Sequence, residues 1–217
     1  MSPIKIVSFD LDGTLVDYTF VNSIWFKGLP KLYAEKNNVT LRKAMKYLKS
    51  EYDKVGIESL EWYDIKYWFK KYLGHQDWES LFKRMRSKVR LYSEVPTVLR
   101  ELKDLGYKLI IVSNAAREFL DLELEETKIA PYFYRVFSST SDFKIVKKAV
   151  NLYAKICGTL EVSPCEVANV GDNWKFDFQV PRRLGIKAFY LDRSRHHAGE
   201  YTLYSLKGLV ERLRTGC

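Results

Sequence analysis

The sequence has few cysteines and no long apolar run. Its three cysteines among 217 residues lack CxxC spacing, a pattern that favours a reducing compartment and argues against a structural zinc site. The longest purely apolar strings, such as the one from Leu109 to Val112, are far too short to cross a bilayer. The residues after Met1 lack the charged and apolar regions of a signal peptide. We therefore expect a cytoplasmic protein without a membrane partner.

Common binding motifs are also missing. No P-loop, GxGxxG or HExxH string occurs, so the usual sequence signals for nucleotide loops and zinc proteases are not available. Hydrophobic residues make up 47% of the chain, and this composition excludes a disordered chain, a collagen-like repeat and a coiled-coil rod. The length allows one substantial core with a smaller second lobe.

Positive charge is concentrated in one internal segment. Residues 17–93 carry 16 Lys and Arg against 9 Asp and Glu, whereas the rest of the chain carries 20 against 18. The pattern predicts a helical lobe with a solvated basic face, and the alternative is a lobe whose field attracts anionic ligands. Nucleic acid is not an expected partner, because no nucleic-acid-binding motif accompanies the charge.

Hydrophobic periodicity predicts strands that alternate with helices. The spacing of Leu41, Ala44, Met45 and Leu48 indicates a helix within a helical segment from about residue 20 to 90. Elsewhere, helices are expected from Pro96 and over 145–156, and buried strands over 4–9, 107–112, 167–170 and 187–191. This alternation predicts an α/β fold, with a parallel sheet covered on both faces and an early helical insertion.

Polar residues that can do chemistry follow the predicted strands. Ligands gather at the carboxyl ends of parallel strands, and the residues found there are Asp10, Asp12, Ser113, Asn114, Asp172, Asn173 and Asp177, with Lys144 at the expected start of a helix. Several carboxylates at one edge repel one another unless a divalent cation neutralises them, and oxygen ligands favour Mg²⁺. A lysine, a hydroxyl and backbone amides beside the cation suit a phosphoryl group.

These residues resemble the motifs of the haloacid dehalogenase-like superfamily. Asp10 to Thr14 is similar to its DxDGT signature, Ile110 to Asn114 to its second motif, Lys144 to its third, and Gly171 to Asp177 to its GDxxxxD motif. The resemblance implies a Rossmann-like parallel sheet with helices on both faces and an inserted all-helical cap. The implied catalytic core comprises 1–16 and 94–217, and the implied cap 17–93.

The resemblance also implies a role for each motif residue. Asp10 would be the nucleophile and a metal ligand, and Asp12 the general acid/base whose main-chain carbonyl reaches the metal. Asp172 and Asp177 would complete the Mg²⁺ site, and Asn173 would support these ligands without binding the metal itself. Ser113, the amide of Asn114 and Lys144 would bind the substrate phosphate.

The third motif departs from the family pattern. Family members of this type often have Lys-Pro there, whereas this sequence has Lys144-Ile145. Lys147 and Lys148 are alternatives on the same helix face. We prefer Lys144 because it stands at the expected helix N-terminus, where an anion is held.

The implied function is a Mg²⁺-dependent phosphatase that hydrolyses a small phosphorylated metabolite through an aspartyl-phosphate intermediate. A 2-haloacid dehalogenase, a phosphonate hydrolase and a phosphomutase are alternatives within the superfamily, although the dehalogenases typically lack the counterpart of Asp12. A non-enzymatic protein that binds nucleic acid or another anion is the alternative from a different class. Trp25, Phe26 and the cluster from Trp62 to Phe69 are candidates to line the substrate pocket, which leaves nucleotides, sugar phosphates and phosphoglycolate open.

Overall fold

A six-stranded parallel sheet forms the centre of the described part of the chain. The computed structural model describes residues 3–74, 77–146 and 149–214. The strand order across the sheet is β3-β2-β1-β4-β5-β6, and every neighbouring pair is parallel. The strands are β1 (Ile6–Phe9), β2 (Lys108–Ser113), β3 (Arg135–Ser138), β4 (Val167–Gly171), β5 (Lys187–Leu191) and β6 (Thr202–Leu203).

The helices fall into an inserted group and a group that covers the sheet. The inserted group lies between β1 and α6 and comprises α1 (Thr19–Ser23), α2 (Leu29–Asn37), α3 (Leu41–Val55), α4 (Ile65–Trp68) and α5 (Trp78–Met85). The remaining helices are α6 (Val95–Asp104), α7 (Arg117–Thr127), α8 (Ser139–Asp142), α9 (Val150–Thr159), α10 (Val180–Arg183) and α11 (Lys207–Arg214). Wider π-helical turns continue α1 and α4 and precede α10.

Both faces of the sheet are buried, which explains the continuous apolar runs of its strands. Side chains alternate in β2, so Leu109 and Ile111 pack into one core cluster while Ile110 and Val112 pack into the other. Helices α6, α7 and α11 contribute to the first cluster, and α9 and α10 contribute to the second. The predicted α/β fold with helices on both faces is confirmed.

The inserted helices have a hydrophobic core of their own. Trp68, Phe20 and Leu48 are completely buried in it, and Phe119 of α7 joins it from the sheet domain. Two chain segments connect the insertion to the sheet and pair with each other: the amide of Asp17 donates to the Arg90 carbonyl at 2.9 Å. The predicted helical insertion after the first strand is therefore confirmed.

The helix indicated by the spacing of Leu41, Ala44, Met45 and Leu48 is confirmed as α3, but other local details differ from the predictions. Leu41 and Met45 are 48% and 43% exposed, because α3 turns the face with Ala44 and Leu48 toward the core of the insertion. The helix expected over 145–156 begins only at Val150. Strands β3 and β6 were not anticipated.

No helix in the described ranges is both long and apolar enough to span a bilayer.

Candidate active site

The register of three strands brings the motif residues together. Phe9 pairs with Ile111 of β2 on one side and with Val170 of β4 on the other. The next residue, Asp10, anchors its amide on the Val170 carbonyl at 3.0 Å. Since the strands are parallel, the residues that follow β1, β2 and β4 all emerge at the same edge of the sheet.

A cavity of about 260 Å³ lies at this edge. Its walls combine acidic, hydroxyl and aromatic side chains: Asp10, Asp12, Tyr18, Ile57, Trp62, Tyr63, Ser113, Asn114, Ala115, Asp172, Asn173, Phe176 and Asp177. Every site residue predicted from the sequence lines this cavity except Lys144. We call it the carboxylate cavity.

Three carboxylates in the carboxylate cavity are close enough to share one cation. One oxygen each from Asp10, Asp172 and Asp177 lies within 4.8 Å of the others. Asp10 and Asp177 are buried, so their mutual repulsion is poorly screened by water. Carboxylate oxygens without histidine or cysteine are the donors that Mg²⁺ prefers. The donor set therefore fits a magnesium ion.

The turn after β4 holds Asp177 against the sheet. A Cβ atom at Gly171 would lie only 2.4 Å from the Asp177 Cγ, so only glycine lets this carboxylate approach the strand. The amide of Asn173 donates to Asp177 Oδ2 at 3.0 Å, and the Asn169 side-chain amide donates to the Asp177 carbonyl at 2.7 Å. Asn173 also caps the following π-helical turn, accepting from the Phe176 amide at 2.9 Å. These bonds orient Asp177 toward Asp10 and Asp172.

Ser113 and Asn114 are fixed at the end of β2. The Ser113 Oγ accepts a hydrogen bond from the Ala115 amide at 3.1 Å. Ser139 donates its hydroxyl to Asn114 Oδ1 at 2.7 Å, and the Asn114 Nδ2 donates to the Tyr63 hydroxyl at 3.3 Å. Because both side chains are buried and hydrogen-bonded, their positions are set before any ligand arrives.

Lys144 lies apart from this group. It is exposed, has a left-handed φ of 56°, and lines a neighbouring cavity that also contains Lys66 and Glu118. A residue in that conformation cannot begin a right-handed helix, so the expected position at a helix N-terminus was wrong. The alternatives Lys147 and Lys148 lie outside the described residues.

A second, mostly apolar cavity of about 210 Å³ adjoins the carboxylate cavity. The two share Asp12, Tyr18, Trp62, Tyr63 and Ala115 as a common boundary. The other walls of this aromatic cavity are Val21, Asn22, Trp25, Phe26, Tyr52, Ala116 and Phe119. Among the aromatic residues singled out from the sequence, Trp25, Phe26, Trp62 and Tyr63 line it, while Trp68 and Phe69 are buried in the core of the insertion.

A buried glutamate beside Asp12 was missed by the sequence analysis. Glu123 of α7 is fully buried, and burial, together with the charge of Asp12, raises its pKa well above the ordinary value. Protonated in this way, it can donate a hydrogen bond to an oxygen of the Asp12 carboxyl group. No local pattern distinguishes Glu123 from the exposed Glu125 beyond its place on the apolar face of the helix.

Tyr18 was also missed, although it follows the first motif closely in the sequence. Its hydroxyl donates to Asp172 Oδ2 at 2.7 Å. Burial, followed by the charge of Asp172, raises the pKa of Tyr18, so its hydroxyl keeps the proton at neutral pH.

Comparisons with known proteins agree with this geometry. The family described as haloacid dehalogenase-like hydrolase matches residues 7–191. The chain is 35% identical to the GMP/IMP nucleotidase YrfG of Escherichia coli (strain K12) over 121 residues, which are 56% of this chain and 53% of that relative. It is 28% identical to the pyrophosphatase PpaX of Bacillus mycoides (strain KBAB4) over 173 residues, or 78% of this chain and 75% of that relative. The match to the nucleotidase thus spans about half of that protein.

A solved structure extends the likeness to nearly the whole chain. The crystal structure of a HAD phosphatase from Thermococcus onnurineus has a TM-score of 0.85 and 26% sequence identity, and covers 97% of this chain and 98% of that one. With a family match over most of its length and the motif residues at one sheet edge, the chain belongs to the haloacid dehalogenase-like hydrolase family.

Proposed function

We propose that this protein is a Mg²⁺-dependent phosphatase that hydrolyses a small phosphorylated metabolite. The observation that carries the proposal is the convergence of Asp10, Asp172 and Asp177 within 4.8 Å, in a cavity that Asp12 and Ser113 also line. Two relatives named for removing or splitting phosphate groups, the nucleotidase and the pyrophosphatase, support it.

Asp10 is the proposed nucleophile. One of its carboxylate oxygens attacks phosphorus and forms an aspartyl-phosphate, while the bond from phosphorus to the ester oxygen breaks. Asp12 gives its proton to the departing oxygen and becomes a carboxylate. The Asp12 carboxylate then removes a proton from a water molecule, and the water oxygen attacks phosphorus. The bond between Asp10 and phosphorus breaks, so that inorganic phosphate is released and the Asp10 carboxylate is restored. Asp12 ends the cycle protonated, as it began.

The metal ligands are proposed to be Asp10, Asp172 and Asp177, together with the main-chain carbonyl of Asp12. A bound Mg²⁺ would neutralise the carboxylates and the negative charge that gathers on the phosphoryl oxygens. Ser113 and the amide of Asn114 would donate hydrogen bonds to those oxygens.

The lysine beside the phosphate stays a prediction. Lys144 lines the neighbouring cavity with Glu118 and does not line the carboxylate cavity, where Ser113 lies. Lys147 and Lys148 remain alternatives. We expect the alanine variant with the largest fall in kcat/KM to identify the lysine that contacts phosphate.

The aromatic cavity favours a flat leaving group. It adjoins Asp12, the residue that protonates the leaving oxygen, and its walls include Trp25, Phe26 and Trp62. Such walls stack well on a nucleobase but offer few hydrogen-bonding groups to the hydroxyls of a sugar phosphate. A nucleoside monophosphate is therefore the substrate class we favour, in keeping with the nucleotidase relative. Inorganic pyrophosphate would leave this cavity empty.

Asp12 separates this proposal from dehalogenation. Loss of a halide needs no proton donor, whereas an ester oxygen is a poor leaving group until it is protonated. A phosphomutase uses the same residues but returns the phosphoryl group to a second hydroxyl, so release of inorganic phosphate distinguishes it.

Phosphate release from an aryl phosphate tests the proposal. We expect turnover with Mg²⁺, none with EDTA, and a loss of at least about a thousandfold in Asp10→Asn. Asp104→Asn, at the exposed end of α6, is the matched control and should keep wild-type activity. Turnover that persists in EDTA or in Asp10→Asn would contradict the proposal, as would chloride release from a 2-haloacid without phosphatase activity.

A further inference from the structure

One hydrogen bond joins the start of the helical insertion to the proposed metal site. Tyr18 immediately precedes α1, whereas Asp172 immediately follows β4. The Tyr18 hydroxyl donates to Asp172 Oδ2 at 2.7 Å across this separation of 154 residues. A hydrogen bond from a neutral donor to a carboxylate is short and strong, so it restricts how the carboxylate can rotate.

The backbone of Gly13 completes this contact. Gly13 has a φ of 79°, and a Cβ atom there would lie 2.2 Å from Asp172 Oδ2 and 2.7 Å from Cε2 of Tyr18. Asp172 Oδ2 is therefore enclosed by the Gly13 backbone on one side and the Tyr18 hydroxyl on another. A carboxylate has enough lone pairs to accept this hydrogen bond and still bind a cation.

We propose that Tyr18 is a positioning residue, which holds the Asp172 carboxylate in the orientation that binds the divalent cation. The inference rests on the proposed function, because it requires Asp172 to be a metal ligand. Partners that hydrogen-bond to a metal-ligating side chain fix its orientation, and their loss typically weakens metal binding by about 10- to 100-fold. Tyr18 touches the ligand and not the reacting atoms, so its loss weakens metal binding more than the chemical step.

Tyr190 provides a matched control. Its ring lines the same outer cavity as Tyr18 and Asp172 and contacts the Trp174 ring edge-on at 5.2 Å. Within the described ranges its hydroxyl makes no hydrogen bond to Asp172. Removing the Tyr190 hydroxyl therefore changes the same region without removing the proposed constraint.

The test is calorimetric titration of Mg²⁺ into the metal-free protein, a measurement that does not depend on turnover. We compare the wild type with Tyr18→Phe, Tyr190→Phe and Asp172→Asn. The expected result is wild-type affinity in Tyr190→Phe, binding weakened about 10- to 100-fold in Tyr18→Phe, and no detectable binding in Asp172→Asn. In activity assays, Tyr18→Phe should regain most of the wild-type kcat at saturating Mg²⁺.

A second readout separates positioning from a folding defect. The thermal midpoint in EDTA should match in the wild type and Tyr18→Phe, whereas the rise on adding Mg²⁺ should be smaller in the variant. Wild-type or tighter Mg²⁺ binding by Tyr18→Phe, with Asp172→Asn still defective, would overturn the role of Tyr18 alone. Absence of Mg²⁺ binding in the wild type would overturn the proposed metal site and this inference together.

Discussion

The guanidinium group of Arg193 lies 3.6 Å from the centroid of the Tyr92 ring. From this position it pairs with Glu94 at 2.6 Å and donates to the Thr14 carbonyl at 2.8 Å and the Gly13 carbonyl at 3.3 Å. Arg193 thus joins the loop after β5, the chain that returns from the insertion, and the loop that carries Asp10 and Asp12. A planar group with five donors can serve all these partners at once.

Arg193→Gln should therefore destabilise the fold. The variant leaves the half-buried Glu94 and two main-chain carbonyls without their donor, and we expect the free energy of unfolding to fall by about 1–3 kcal/mol. Arg195 is exposed on the same loop, so Arg195→Gln is the control. This substitution should change the free energy of unfolding by less than about 0.5 kcal/mol. Urea unfolding monitored by circular dichroism measures both, and equal midpoints for the two variants would contradict this role of Arg193.

The buried Glu123 should make the stability of the protein depend on pH. Its pKa is raised in the folded protein, mainly by burial and then by Asp12, while in the unfolded chain it is ordinary, about 4.3. Above that pH the unfolded chain releases a proton that the folded protein keeps, so the stability of the wild type falls as pH rises. Glu123→Gln removes this penalty and can still donate a hydrogen bond.

The free energy of unfolding of Glu123→Gln, relative to that of the wild type, should accordingly increase between about pH 5 and about pH 8. Urea unfolding in EDTA across this range measures it. Glu125→Gln, on the exposed side of the same helix, is the control and should show no comparable trend. A difference that is constant with pH would show that Glu123 titrates normally.

A side chain at Gly171 should weaken metal binding. Its substitution by alanine would push a Cβ atom to within 2.4 Å of the Asp177 Cγ, so the carboxylate must move. We expect Gly171→Ala to weaken Mg²⁺ binding by about 10- to 100-fold. At Gly158 in α9 an added Cβ would meet no atom within 4 Å, so Gly158→Ala should bind Mg²⁺ normally and gain about 0.5–1 kcal/mol of stability. Calorimetry separates the two, and normal binding by Gly171→Ala would refute the close approach.

Trp62 should affect substrates according to their leaving group. If its ring stacks on a base, Trp62→Ala should raise KM for a nucleoside monophosphate by about tenfold or more. KM for acetyl phosphate, whose leaving group cannot fill the aromatic cavity, should change little. Tyr47→Ala is a control, because Tyr47 is exposed on the insertion and stacks on Tyr33 outside this cavity. Equal effects of Trp62→Ala on both substrates would argue against stacking.

Much of the site could be predicted because its residues directly follow strands that are recognisable in the sequence. Asp10, Ser113 and Asp172 follow apolar runs that are buried on both faces, and parallel strands place such residues at one edge. The approach of Asp177 depends on a local turn with Gly171 and Asn173, which lies within the motif itself. The local sequence around Asp177 was therefore sufficient to predict that this residue belongs to the site.

Other features depend on contacts that no local pattern encodes. Lys144 precedes apolar residues with helical spacing. Its left-handed backbone conformation is not helical, however, and α9 begins only at Val150. Glu123 and Arg193 acquire their environments from segments more than 90 residues away, Asp12 and Glu94 respectively. Leu41 fits an apolar stripe, yet α3 packs only the part of that stripe with Ala44 and Leu48. Tertiary packing decided each of these cases.

In the proposed mechanism, Asp10 forms a covalent bond to phosphorus. Asp12→Asn should leave the first step possible with an aryl phosphate, whose leaving group needs little protonation, but should slow hydrolysis of the intermediate. We therefore predict that rapid quenching of Asp12→Asn with Mg²⁺ and an aryl phosphate, followed by peptide mass spectrometry, finds a phosphoryl group on Asp10. Phosphate release by the wild type without a phosphorylated peptide in either protein, or phosphorylation of a different residue, would show that Asp10 is not the nucleophile.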